Sequence, residues 1–135
     1  MTFRHVAILT SFLFLVLAIA WMFFPEQMLT QWGVLYSDGA GLVSRRGAVF
    51  YLGVAVMFFM ARNTEHSAAR MALIKGMITI CTVLILLGVY ELSVGHASDK
   101  ILAAVLIEAI LGLAFIYAWR TSNKANNLNK QWEKI

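Results

Sequence analysis

Charge is scarce in this chain. Lys, Arg, Asp and Glu make up only 13% of its 135 residues and hydrophobic residues 61%, whereas a soluble domain carries roughly 25% charged residues. That balance excludes an ordinary water-soluble fold. Cysteine occurs once, at Cys81, so there is no disulfide framework and no Cys-based metal site. The three histidines, His5, His66 and His96, fall in separate terminal or loop regions, and no shared metal site is expected. The one proline, Pro25, follows the first apolar run, where it can end a helix or open a new turn. Internal repeats and low-complexity segments are missing. So are a phosphate-binding glycine loop, a GxSxG elbow, an HExxH pair and a Ser–His–Asp arrangement. No catalytic residue is therefore expected, and enzyme chemistry would need another subunit's cofactor or a membrane-soluble substrate.

The apolar residues are gathered in four blocks: Val6–Phe24, Val43–Ala61, Met71–Tyr90 and Ile101–Trp119. Each is close to the roughly 20 helical residues that cross a hydrocarbon core of about 30 Å. A β-barrel would need alternating polar and apolar positions, and "FLFLVLAIAWMFF" does not alternate. The expected fold is all-α: an integral membrane antiparallel four-helix bundle over residues 1–120, with a polar cytoplasmic tail over 121–135. The first block begins like a secretory signal, with Arg4 and then "AIA" at 18–20, but its apolar run continues through "WMFF", and a retained span is expected.

With four spans both termini share one side. That side collects Arg4, Arg62, Arg70, Lys75, Arg120, Lys124, Lys130 and Lys134, against Arg45, Arg46 and Lys100 on the other. The positive-inside rule then puts both termini in the cytoplasm, in a bacterial inner membrane. Anionic lipid headgroups account for the net charge of +4, and nucleic acid is not an expected partner. The longest outer connection, "PEQMLTQWGVLYSDGAGL", spaces Met28, Leu29 and Trp32 helically before Gly33. A short interfacial helix is expected there, followed by a flexible "SDGAG" link. The tail is expected to be a frayed helix extension or a partner contact, with Trp132 as its aromatic anchor.

Glu108 interrupts the fourth block seven residues after Ile101, about 10 Å into the span at 1.5 Å per residue. An ionised carboxylate at such depth costs about 2.5–3.5 kcal/mol on insertion scales, and such groups face the protein interior. Ala104 and Gly112 flank it at four-residue spacing, a small-residue stripe suited to close helix approach. Two readings are open: a proton- or ligand-binding carboxyl, or a Glu that locks helix packing through a hydrogen bond. Arg45 and Arg46 break the positive-inside rule and sit at a helix N-terminus, where positive charge is disfavoured. They are candidate partners, Arg46 for Glu108 if it turns inward, with Asp38, Glu91 and Asp99 as alternatives; at least one is expected to snorkel to lipid. Lys75, Thr79 and Thr82 form a polar stripe at helical spacing, either a water path toward Glu108 or hydroxyls bonded to their own helix. Gly53, Gly76 and Gly88 are read as sites of close helix approach.

The segments "FFPEQMLTQWG", "RRGAVFYLG" and "IEAILGLAFIYAWR" resemble the DoxX-like superfamily, in particular its DUF4345-type small four-helix bacterial membrane proteins. The resemblance runs over almost the whole chain as an order of spans and loops. It implies a compact antiparallel bundle, maps the Arg–Gly start of span two onto Arg46 and Gly47, and maps the acidic position of span four onto Glu108. Some relatives are membrane subunits of quinone-linked oxidoreductases; no cofactor is expected of this chain, with a quinone or lipid left open. Three functions are therefore open: a non-catalytic accessory or self-assembling subunit, a lipid- or quinone-binding subunit, or a small proton-coupled transporter using Glu108. The expected partners are the bilayer, further copies of the chain or other membrane subunits.

Overall fold

A computed structural model describes the backbone of residues 2–132 and the side chains of residues 2–123. The described chain is helical in five segments: α1 (Phe3–Phe23), α2 (Pro25–Gln31), α3 (Asp38–Ala61), α4 (Ala68–Ser93) and α5 (Ile101–Trp132). All except α2 are long and apolar enough to cross a membrane. Their large side chains look outward as well as inward. Phe12 is 67% exposed and Phe50 76%, which suits lipid and not water.

Helices α3 and α4 start upstream of their apolar blocks because polar caps set them. The Ser37 hydroxyl accepts the Ala40 N–H at 3.1 Å, and the Ser67 hydroxyl accepts the Arg70 N–H at 3.2 Å. Each satisfies one of the free donors of a first turn. "SDGAG" is consequently not a flexible link: Ser37 is the N-cap and Asp38 opens α3, where its charge complements the helix dipole. The short helix expected after Pro25 is present as α2, with the proline in its first turn. Gly33 (φ +78°) and Gly95 (φ +77°) follow α2 and α4 in the left-handed region. In each the residue after the glycine returns a hydrogen bond five residues back, Val34 to Leu29 and His96 to Glu91, the Schellman closure that glycine permits. The 121–135 tail continues α5 as helix through Trp132, and the Trp132 side chain lies outside the described residues.

Helix α1 packs chiefly on α3, and α4 on α5, while α1 meets α5 along a sparser seam. Ser11 donates to the Ala55 carbonyl at 2.8 Å, and the Phe14 ring meets Tyr51 edge-on at 5.8 Å. Across α4 and α5, a Cβ on Gly88 would lie 2.6 Å from Val105 Cγ2, and one on Gly112 3.3 Å from Cys81 Cβ. Glycine is what lets these two helices touch. Gly53 and Gly76, by contrast, face open space and are not approach sites. The Phe58 and Phe115 rings, 5.3 Å apart, join the two pairs, with Ile74, Met77 and Val6 buried around them.

Candidate functional site

The end of the molecule that holds α2 and the 94–100 loop is built differently from the rest. Trp21, near the end of α1, and Trp32, just after α2, meet with ring centroids 5.2 Å apart and planes tilted by 59°. The Ser98 N–H donates to the Trp32 carbonyl at 2.7 Å and the Ser98 hydroxyl to the Gln31 carbonyl at 2.9 Å. These two bonds tie the α4–α5 loop to α2. The resulting roof covers a cavity of about 250 Å³ whose lining includes Tyr51 from α3, Cys81 from α4, and Lys100, Ala104 and Glu108 from the α5 region.

Glu108 reaches this wall because Ala104 and Glu108, four residues apart, share one face of α5, with Lys100 in the turn just ahead of it. Its Oε2 is buried and has no hydrogen-bond partner among the described residues. An unmet buried acceptor carries a desolvation penalty of about 1–3 kcal/mol, more when charged. Such a group calls for a partner from outside the chain, either water or ligand.

A second cavity, also about 250 Å³, is lined by the same residue and is bordered by Glu91 and His96. An apolar groove of about 390 Å³ runs between α1 and α5 and shares Leu13, Ile107 and Leu111 with the first cavity. The sparse α1–α5 seam leaves that groove open toward the surrounding lipid.

The structure does not bring the expected residues together. Arg45 and Arg46 are both exposed, and neither lines the cavity wall occupied by Glu108. The cation at that cavity is Lys100, legible in sequence only as the residue two turns ahead of Glu108. Lys75, Thr79 and Thr82 are exposed on the outer face of α4. Thr79 donates to the Lys75 carbonyl at 3.0 Å and Thr82 to the Ile78 carbonyl at 2.8 Å, so these hydroxyls serve their own helix. The small-residue stripe divides: Gly112 packs on Cys81, while Ala104 lines both cavities. Tyr51, Trp21 and Gln31 enter the site without a motif, since nothing in an apolar run separates a cavity aromatic from a core one.

Arg70 was legible only as one of the basic residues on its side of the membrane. It crosses from α4 to donate to the Ser122 hydroxyl at 2.9 Å, and its guanidinium lies 4.3 Å from the centre of the Phe3 ring, tying α1, α4 and α5 together at the other end. Among the described residues, no three His, Cys, Asp or Glu side chains are grouped to hold a metal ion. No protein-family model, no curated protein and no solved structure matches this chain.

Proposed function

We propose that the chain is a non-catalytic accessory subunit of a membrane complex that holds a small amphiphile, of the quinone or lipid class, with its polar head at Glu108 and its tail in the α1–α5 groove. The observation that carries this reading is the unpartnered Glu108 oxygen in the wall of a roofed cavity that abuts a lipid-facing groove. Size narrows the class. A cavity of about 150 Å³ holds benzene, so about 250 Å³ suits one substituted ring and is small for a two-chain lipid headgroup. Tyr51, Gln31 and Glu108 offer hydroxyl, amide and carboxyl groups to the head, and the groove offers only aliphatic and aromatic carbon to the tail.

The same reading takes the helices as an antiparallel bundle with both termini cytoplasmic, in a bacterial inner membrane, related to the DoxX-like proteins. Contacts that pair rising with falling residue numbers support the antiparallel part: Ser11 with Ala55 and Phe14 with Tyr51, then Gly88 with Val105 and Cys81 with Gly112. A transporter reading has less support, because the Lys75–Thr79–Thr82 stripe faces away from Glu108.

The test is a titration of the purified chain with a short-chain benzoquinone and, separately, with a single-chain phospholipid. The readout is quenching of Trp21 and Trp32. Saturable quenching by the quinone is expected, weakened about tenfold or more in Glu108→Gln, the scale of one hydrogen bond to a charged group. Linear, non-saturating quenching that is identical in the variant would refute the ligand site.

A further inference from the structure

Helix α4 ends in the Gly95 closure, and that turn folds the chain back so that His96 Nδ1 lies 2.9 Å from Glu91 Oε2. The pair faces solvent, with side chains 68% and 33% exposed. Behind it lies the second cavity, which shares Trp32, Leu84, Ala104 and Glu108 with the first. Glu108 thus lines both: one cavity lies under the α2 roof, and the other leads to an imidazole–carboxylate pair at the surface. Toward the opposite end, core side chains fill the space between the helices below Glu108, and the groove there opens outward between α3 and α4. Phe58, Phe115, Ile74 and Met77 are each at most 2% exposed.

We infer that the second cavity is the proton route of Glu108, joining its carboxyl to the water on the His96 side of the membrane through Glu91 and His96. Imidazole is the side chain suited to exchanging protons near neutral pH. A liquid-like water occupies about 30 Å³, so about 250 Å³ has room for several waters between the pair and the buried oxygen. The step is a simple transfer: a proton from bulk water binds the imidazole, passes along the cavity and ends on the Glu108 carboxylate, and the reverse path discharges it. The other titratable groups lining the Glu108 cavities are Tyr51 from α3, Cys81 from α4 and Lys100 ahead of α5; α1 and α2 contribute none to these walls. The inference rests on Glu108 being the working carboxyl but does not depend on any ligand in the first cavity.

Two measurements on the full chain in sealed vesicles of one orientation test it. Dicyclohexylcarbodiimide adds to a protonated carboxyl from the lipid phase. Its attachment to Glu108, mapped by mass spectrometry, is expected to rise several-fold when the His96 side alone is brought from pH 8 to pH 6, and to ignore the same change on the other side. In a Cys81→Ala background, Glu108→Cys is expected to react with a membrane-impermeant methanethiosulfonate from the His96 side only. Ala97→Trp, which fills the second cavity, should slow that reaction about tenfold or more. Labelling governed by the opposite side, labelling that responds to neither side, or a Cys reaction indifferent to Ala97→Trp overturns the route. One-sided access without quinone quenching would keep the route and reject the amphiphile.

Discussion

The two ends of the same four long helices solve opposite problems. At the end that carries Phe3, Arg70 and Ser122, an aromatic and aliphatic core joins the helices, although a groove of about 490 Å³ opens between α3 and α4 beside it. The Phe58 ring meets Phe115 at a tilt, Ile74 and Met77 are buried around them, and Arg70 reaches both the Phe3 ring and the Ser122 hydroxyl. At the end under α2, the polar and aromatic groups of five segments surround cavities, and the Glu108 oxygen lacks a partner. Among the described residues a buried polar atom is left unmatched at each end, Arg70 Nε and Glu108 Oε2, and Glu108 lines two cavities. The contrast teaches that tightness here is local. One end fixes how the helices sit, and this leaves the other free to remain hollow without collapsing.

Truncation should separate the ends most sharply. Phe58→Ala, at a 2% exposed position, is expected to lose about 3–5 kcal/mol of stability in reversible unfolding by mixed detergent. Leu84→Ala, which borders both cavities, should lose clearly less, since its side chain already faces a void. Equal losses would mean the hollow end is as tightly packed as the other.

The glycines offer a middle-sized effect. Gly88→Val drives a side chain into Val105, and overpacking of this kind costs about 1–3 kcal/mol. Gly76→Ala meets nothing within 4 Å and should be neutral or stabilising by up to about 1 kcal/mol through helix propensity. Both are read in the same unfolding assay, and a reversed order would show that α4 and α5 are not held at the separation that Gly88 and Val105 define.

The smallest change concerns the roof. Ser98→Ala removes the hydroxyl bond to the Gln31 carbonyl and should cost about 0.5–1.5 kcal/mol. Its larger signature is local, as faster hydrogen exchange at Trp32 and Gly33 with the Phe58 region unchanged. Exchange that quickens equally at both ends would mean the roof and the packed end open as one unit.

Much of the fold was legible because membrane-length apolar runs admit only one economical structure, the helix. The Gly33 stop and the short helix after Pro25 followed from backbone preferences alone. Ser37 and Ser67 were harder to read as caps, since both lie outside the apolar blocks and serine suits loops as well as N-caps. Glu108 stood out as the site's centre because a carboxylate is costly at that depth. Its neighbours did not. Arg46 was a reasonable partner by charge, yet its long side chain stays exposed, while Lys100, Tyr51 and Trp32 supply the surroundings. Which aromatic lines a cavity depends on which helices are adjacent, and periodicity within one helix carries no information about its neighbour.

The sequence by itself determined that four helices form, where α2 lies, and that Glu108 sits within an apolar span, because each follows from transfer energies and local backbone geometry over a few turns. The tertiary structure alone decided that α1 meets α5 loosely enough to leave a groove, that Ser98 fastens the roof, and that Glu108 lines two cavities. Those depend on side-chain fit between segments far apart in the chain, such as Gly88 against Val105 and Phe58 against Phe115, where a methyl group more or less changes which helices can touch.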